Sequence, residues 1–156
     1  MKKRAFIVSA IASAALCSAG LAMAQDKFKI GLILPMTGPF ASTGKQIEAA
    51  ARLYIAQNGD TVGGKKVELI VKDDTSAPDV TKRIAQELVV NDKVNVLAGF
   101  GLTPLALATA PIATQSKTPL VVMAAATSSI TEASPFIIRT SFTLPQASVK
   151  IGRAHV

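Results

Sequence analysis

The sequence has very few of the residues on which cross-links and transition-metal sites depend. Its 156 residues include one cysteine (Cys17), one histidine (His155), one tyrosine and no tryptophan. A disulfide framework or a cysteine- or histidine-based metal site needs several such residues, so all of these are excluded. Because 49% of the residues are hydrophobic and only 17% are charged, the chain is also not intrinsically disordered. Its length fits one domain with a substantial core.

The first 24 residues have the three parts of a secretory signal peptide. Residues 1–4 (MKKR) are basic, residues 5–16 are apolar and small, and residues 22–24 (AMA) form a cleavage motif. Serines interrupt the apolar run, which favours a cleaved leader over an uncleaved membrane anchor. Leu16 before Cys17 disfavours a lipoprotein. Removing residues 1–24 leaves 14 basic and 10 acidic residues, a net charge of +4 that does not indicate a nucleic-acid partner.

The last six residues are predicted to have an unusual origin. Residues 151–156 (IGRAHV) are encoded by ATCGGAAGAGCACACGTC, which resembles the start of a common sequencing adapter. We therefore predict that residues 151–156 are adapter read-through and that His155 is not native. The native mature part is then residues 25–150, with 13 basic and 10 acidic side chains and a net charge of +3.

Strand and helix patterns alternate along the mature chain. Strands are predicted at residues 28–34, 66–72, 94–98, 119–124 and 136–139. Helices are predicted to begin at a capping box headed by Thr43, near Pro78, at Thr103 before Pro104, and at Leu144. The first helix carries an apolar stripe from Ile47 to Ile55 and ends at Asn58-Gly59. This order predicts an α/β fold with a mostly parallel sheet and helices on both faces.

Three loops are predicted at the carboxyl ends of strands, where open parallel sheets bind ligands. They are residues 35–43, 99–103 and 125–129, and they are rich in Gly, Ala, Ser and Thr. Small residues let a ligand approach the backbone, and helix N-termini suit a carboxylate. None of the loops contains an ionisable nucleophile, acid or base. The loops therefore indicate binding rather than catalysis.

Each of these motifs also has a purely structural interpretation. Thr103 could serve only as a helix cap, and residues 129–132 (SITE) fit a capping box. Asp73 and Asp74 are more typical of solvated turn residues than of metal ligands. Residues 99–101 (GFG) lack the third glycine of a dinucleotide fingerprint, because Pro104 stands in its place. No cofactor is predicted.

Five stretches, spread over residues 27–150, resemble one known family. They are residues 30–39 (IGLILPMTGP), 69–74, 98–104, 123–129 and 137–140 (IIRT). In this order they are similar to the periplasmic substrate-binding proteins of branched-chain amino acid transporters, which have a type I periplasmic binding fold like that of leucine-binding protein. The resemblance implies two α/β lobes that clamp a ligand between them. Residues 25–150 correspond to most of the first lobe, so the chain is expected to be an N-terminal fragment.

The resemblance also implies which residues hold the ligand. A hydroxyl contact and an Ala-Ala-Thr contact of the family fall on Thr103, Ala125, Ala126 and Thr127. A tyrosine that often contacts ligand in the family is replaced here by Thr43. Its loss leaves room for a different side group, such as an aromatic or other organic acid, and Phe40 and Phe100 flank the loops as candidate walls or core residues.

The resulting prediction is a non-enzymatic periplasmic protein that captures a small amino acid or carboxylic acid. It would deliver the ligand to an ABC transporter permease driven by a separate ATPase. One alternative is the ligand-sensing lobe of a receptor or regulator, which would carry a transmembrane or DNA-binding segment elsewhere. A Rossmann-type enzyme is a second alternative, with no supporting feature. For residues 25–150 alone, weak ligand binding and poor solubility are expected.

Overall fold

The computed structural model describes residues 27–153, so the predicted leader and residues 154–156 lie outside the described part. Among the described residues, no helix has the length and apolarity needed to cross a membrane. The strands are β1 Phe28–Leu34, β2 Thr61–Val62, β3 Lys65–Asp73, β4 Val96–Gly99, β5 Leu120–Val122 and β6 Ile137–Arg139. The α-helices are α1 Ala41–Asn58, α2 Pro78–Val90, α3 Thr103–Ser116 and α4 Leu144–Arg153, and a 3₁₀ helix spans Ser128–Glu132.

The strands form one sheet in the order β2-β3-β1-β4-β5-β6. All neighbours from β3 to β6 pair in parallel, and only β2 runs antiparallel, against β3. The register places Leu34 beside Asp73 and Ile33 beside Gly99, so the strands β1, β3 and β4 end at the same edge. This confirms the predicted α/β fold with a mostly parallel sheet.

The first hairpin was not predicted from the sequence. The sequence patterns place no strand between residues 34 and 66, whereas Thr61 pairs with Lys66 and Val62 with Lys65. Gly63 and Gly64 form the two-residue connection with φ values of 58° and 77°, a backbone region that glycine enters without steric cost. A strand of two residues is too short to show an alternating pattern.

Helix α1 begins earlier than its predicted capping box. The N-cap is Phe40, no side chain caps the helix, and Thr43 lies within its first turn. Gly38, with a φ of 76°, closes a turn in which the Ala41 N–H donates to the Gly38 carbonyl at 3.2 Å. The chain is therefore already helical when it reaches Thr43, and the prediction that Thr43 caps the helix is wrong.

The main core lies on the face of the sheet that α2 and α3 cover. Ile84, Ala85 and Leu88 of α2 are buried there, as their spacing predicts. From the sheet, Ile33 and Leu97 point into the same cluster, which also includes α3 residues. Alternation along β1 sends Leu32 and Leu34 to the opposite face.

The opposite face is covered only in part by α1. Gly44 is the one buried residue of this helix, and Tyr54, in the middle of its apolar stripe, is 67% exposed. Between α1 and the sheet runs an apolar groove of about 370 Å³, lined by residues such as Leu32, Val121 and Met123. The helix that the sequence predicts is present, but its apolar stripe remains largely uncovered.

Candidate functional site

The three predicted loops meet at the carboxyl edge of the sheet. The N–H of Phe100 donates to the Ile33 carbonyl at 3.0 Å, which joins the end of β4 to β1. The N–H of Ala125 donates to the Phe100 carbonyl at 3.0 Å, which joins the loop after β5 to the loop after β4. A Cβ atom on Gly101 would lie 2.9 Å from Cγ of Pro35, so the first two loops also pack closely. The structure thus brings together the loops that the sequence grouped.

The turn after β4 depends on two successive residues with positive φ. Gly99 has a φ of 115° and Phe100 a φ of 64°. A Cβ atom at Gly99 would lie 2.1 Å from the Ile33 carbonyl oxygen, which only glycine permits. The Phe100 side chain is fully buried in the main core, and its carbonyl supports Ala125. Of the two phenylalanines proposed as pocket walls, only Phe40 is well exposed, at 44%.

Two threonine hydroxyl groups form the centre of the candidate site. Oγ1 of Thr103 lies 2.7 Å from Oγ1 of Thr127, and both residues are half-buried. Thr103 is the first residue of α3, after an N-cap at Leu102, and makes no capping hydrogen bond. The prediction that Thr103 caps this helix is therefore wrong. The hydrogen bond between the hydroxyls uses one of their two hydrogens, so the other can serve a ligand.

The N-terminus of α3 adds backbone donors beside this hydroxyl pair. The first N–H that finds a partner inside the helix is that of Ala106, which donates to Leu102 at 3.3 Å. Pro104 has no N–H, so Thr103 and Leu105 provide the donors without a helical partner. The positive end of the helix dipole lies at the same place, which favours an anion.

The loop after β5 is held by residues that the sequence analysis did not place in the site. The guanidinium group of Arg139 donates to the carbonyls of Ala125 and Thr127. The N–H of Leu144 donates to the carbonyl of Ala126 at 2.9 Å. Arg139 was noted only as part of the family-like stretch 137–140. A lone arginine at the end of a short apolar strand was the signal that could have found it.

Thr127 and the residues after it do not form the predicted capping box. A 3₁₀ helix starts at Ser128 with Thr127 as its N-cap, and no side chain caps it. The prediction for residues 129–132 is therefore wrong. The Thr127 hydroxyl, which could have capped this turn, bonds to Thr103 instead.

Thr43 lies apart from the hydroxyl pair. Its N–H donates to the Phe40 carbonyl at 3.1 Å within the first turn of α1. No hydrogen bond among the described residues joins it to Thr103 or Thr127. Its role as a ligand contact stays a prediction.

Asp73 fastens the first loop to the end of β3. Its Oδ1 accepts hydrogen bonds from the N–H groups of Met36 and Thr75, each at 2.9 Å, and its Oδ2 accepts one from the Thr37 hydroxyl at 2.7 Å. Burial alone would raise the pKa of Asp73, but these hydrogen bonds outweigh it and lower the pKa below 3.8. Among residues 27–153 no cluster of acidic, histidine or cysteine side chains could hold a metal ion. Asp73 therefore has a structural role in this loop.

Asp74, the residue that follows Asp73, is fully buried. Its Oδ1 accepts the N–H of Ser76 at 2.9 Å, whereas Oδ2 has no hydrogen-bond partner. Desolvation by burial, the largest cause, raises the pKa of Asp74 above 3.8. Asp74 is thus a buried carboxyl group and not the solvated turn residue that the sequence suggested.

Comparison with known proteins agrees with this architecture. Residues 27–156 match a family model described as periplasmic binding protein. The chain belongs to the periplasmic binding protein family. A Leu/Ile/Val-binding protein homolog 6 from Brucella abortus is 47% identical over 154 residues, which are 98% of this chain and 38% of the relative.

Two solved structures from Rhodopseudomonas palustris share the fold. A solute-binding protein of an ABC transporter from strain BisB5, in complex with 3,4-dihydroxybenzoic acid, is 68% identical with a TM-score of 0.80. The match covers 81% of this chain and 35% of that protein. A second solute-binding protein, in complex with 4-hydroxybenzoate, is 43% identical with a TM-score of 0.75, and the match covers 82% of this chain and 36% of that protein.

These findings confirm the family resemblance seen in the sequence. The chain spans little more than a third of the length of each of these relatives, as a fragment would. All three are binding proteins by name, and two of them are solute-binding proteins of ABC transporters, which supports the predicted non-enzymatic class.

Proposed function

We propose that the protein to which this chain belongs captures a small carboxylic acid in the periplasm and delivers it to an ABC transporter permease. Family membership and the solute-binding relatives support this function. The predicted signal peptide, residues 1–24, supports export from the cytoplasm. Residues 25–150 would supply most of the first lobe.

The observation that carries the proposal is the bond between the hydroxyls of Thr103 and Thr127. A threonine at a helix start often caps the helix with its hydroxyl group, but neither Thr103 nor Thr127 does so. Their remaining hydroxyl hydrogen lies beside the N-terminus of α3. This combination of donors suits a carboxylate and gives the predicted contacts Thr103 and Thr127 a shared role. Ala125 is buried and its N–H and carbonyl are both engaged within the lobe, so of the two predicted alanine contacts only Ala126 offers an N–H to a ligand.

An aromatic carboxylic acid is the ligand class that these loops favour. The carbonyls of residues 125–127 already accept hydrogen bonds from Arg139 and Leu144, and the Phe100 carbonyl accepts one from Ala125. The loops therefore offer more donors than acceptors, which suits an acid without an ammonium group. The 68% identical neighbour binds 3,4-dihydroxybenzoic acid. Phe40, which is exposed, lies in the first loop as the N-cap of α1 and could contact the ring of such an acid.

An aliphatic amino acid is the second candidate. The Brucella relative is named for leucine, isoleucine and valine. Such a ligand would need acceptors for its ammonium group from outside these loops. In either case we propose that closure of two lobes buries the ligand and forms the surface that the permease recognises, while a separate ATPase drives transport.

The test is a thermal-shift and calorimetric screen of the full-length protein. The panel contains 4-hydroxybenzoate, 3,4-dihydroxybenzoate, benzoate, leucine, isoleucine and valine. At a ligand concentration 100 times the Kd, a true ligand stabilises the folded state by about 2.7 kcal/mol. Stabilisation by the benzoates but not by the amino acids is expected. The reverse pattern would replace the aromatic acid with an amino acid, and no response to any acid would refute the proposed function.

A further inference from the structure

We propose that Arg139 is a positioning residue that aims the backbone N–H group of Ala126 at the ligand's carboxylate. This inference rests on the proposed function. Arg139 itself contacts no ligand in this arrangement. It acts through the loop after β5, whose peptide groups it orients.

The end of β6 and the start of α4 hold three successive carbonyls of that loop. Arg139 donates to the first and third, those of Ala125 and Thr127, and the N–H of Leu144 donates to the second, that of Ala126. The planar guanidinium group of arginine has several donors in a fixed fork, so one side chain can hold two carbonyls at once. A lysine at this position could not hold both in the same rigid geometry.

The orientation of these carbonyls determines that of the N–H groups. Every described peptide bond is trans, so a carbonyl and the N–H of the next residue point in opposite directions. The Ala125 carbonyl faces Arg139, and the N–H of Ala126 therefore faces away. The Ala126 carbonyl is held by Leu144, so Arg139 does not orient the N–H of Thr127. Within residues 27–153, the N–H of Ala126 has no acceptor.

The charge of Arg139 strengthens this effect. In the described part of the chain, no carboxylate lies within ion-pair distance of its guanidinium group. The positive charge lies beside two carbonyl oxygens, and no carboxylate of the described residues neutralises it. It polarises their peptide groups, so it makes the N–H of Ala126 a stronger donor and adds attraction for an anion.

The experiment compares Arg139→Gln and Arg139→Lys with the unmodified full-length protein. Arg83→Gln, which removes an exposed arginine from α2, is the matched control. Calorimetry measures the Kd for 3,4-dihydroxybenzoate and, in parallel, for leucine. Selective ¹⁵N labelling of alanine follows the N–H resonance of Ala126 as the acid is added.

We expect a downfield shift of the Ala126 N–H resonance in the unmodified protein when the acid binds. Arg139→Gln should weaken binding roughly 10- to 100-fold and remove this shift, whereas Arg139→Lys should lie between the two. Arg83→Gln should change neither. If Arg139→Gln does not fold, the unmodified protein and Arg139→Lys still decide the question.

Two results would overturn the inference while leaving the proposed function intact. One is tight binding by the unmodified protein with no shift of the Ala126 N–H. The other is a folded Arg139→Gln protein with unchanged Kd and an unchanged shift, which would make Arg139 a stabilising residue only. An unmodified protein that binds neither acid would instead refute the proposed function.

Discussion

Replacing Thr103 by valine is the most direct test of the hydroxyl pair. Valine keeps the shape and the β-branch of threonine and removes only the hydroxyl. Thr103 makes no capping hydrogen bond, so the start of α3 should be unaffected. The lost bond to Thr127, 2.7 Å long and half-buried, should cost about 0.5–1.5 kcal/mol of stability.

The loss of ligand affinity should be larger than the loss of stability. A hydrogen bond to a charged group contributes about 1.5–3 kcal/mol, which corresponds to a roughly 10- to 150-fold rise in Kd. Because one hydroxyl orients the other, the double variant with Thr127→Val should lose less than the sum of the two single losses.

The assay is calorimetry with 3,4-dihydroxybenzoate on the full-length protein, alongside chemical denaturation. Thr61→Val is the matched control, because Thr61 is exposed on β2, beside the amino end of β3 and away from the site. Its Kd should equal that of the unmodified protein. A folded Thr103→Val protein that binds within twofold of the unmodified protein would refute the role assigned to the hydroxyl pair.

Three further predictions concern the scaffold. Gly99→Ala should destabilise the protein by at least about 2 kcal/mol in chemical denaturation, because its φ is 115° and its Cβ would lie 2.1 Å from a backbone oxygen. Gly38→Ala, where no atom lies within 4 Å, should cost only the backbone term of about 1 kcal/mol; equal costs would contradict this reasoning. Burial raises the folded-state pKa of Asp74. The contribution of its carboxyl group to the free energy of unfolding therefore falls as the pH rises from about 3.8 through that raised pKa. The stability of Asp74→Asn relative to the unmodified protein should therefore increase over this range, by about 1.4 kcal/mol per unit of pKa elevation, and a flat difference would show that Asp74 is not desolvated. Residues 25–150 alone should bind a hydrophobic dye such as ANS, because the apolar groove beside α1 is open. They should bind 3,4-dihydroxybenzoate weakly, because the second lobe is missing. Tight binding of the acid by this fragment would overturn the two-lobe mechanism.

The fold could be predicted because its signals are local and repeated. β1 is a short and mostly apolar run, and α2 carries Ile84 and Leu88 on one face. Buried parallel strands and amphipathic helices both leave such patterns in the sequence. The two-residue strand β2 leaves none, and it was missed.

The helix caps could not be predicted for the opposite reason. A hydroxyl near a helix start can bond to a nearby N–H or to a distant partner, and the sequence shows only the nearby option. Thr103 bonds to a residue 24 positions away. The predicted cap at Thr43 is wrong for a different reason, because the turn at Gly38 starts the helix before the chain reaches Thr43.

The same distinction explains why Arg139 was overlooked while Ala125 and Thr127 were selected. The family-like stretch identified the loop, but two of the contacts that orient it come from one residue, Arg139, which lies 14 positions from Ala125 and 12 from Thr127 in sequence. Loop composition can therefore locate a binding edge, whereas the direction of its donors depends on tertiary contacts.

Binding and stability should consequently be separable at this edge of the sheet. Thr103 and Thr127 are half-buried and lie outside the main core, so changes to their hydroxyls should affect ligand affinity more than folding. Gly99 and Phe100 differ, because one passes against the Ile33 carbonyl and the other fills the core while its own carbonyl supports Ala125. Substitutions at these two positions should reduce stability and affinity together. The turn after β4 is therefore the point at which the packing of the lobe determines the geometry of its ligand site.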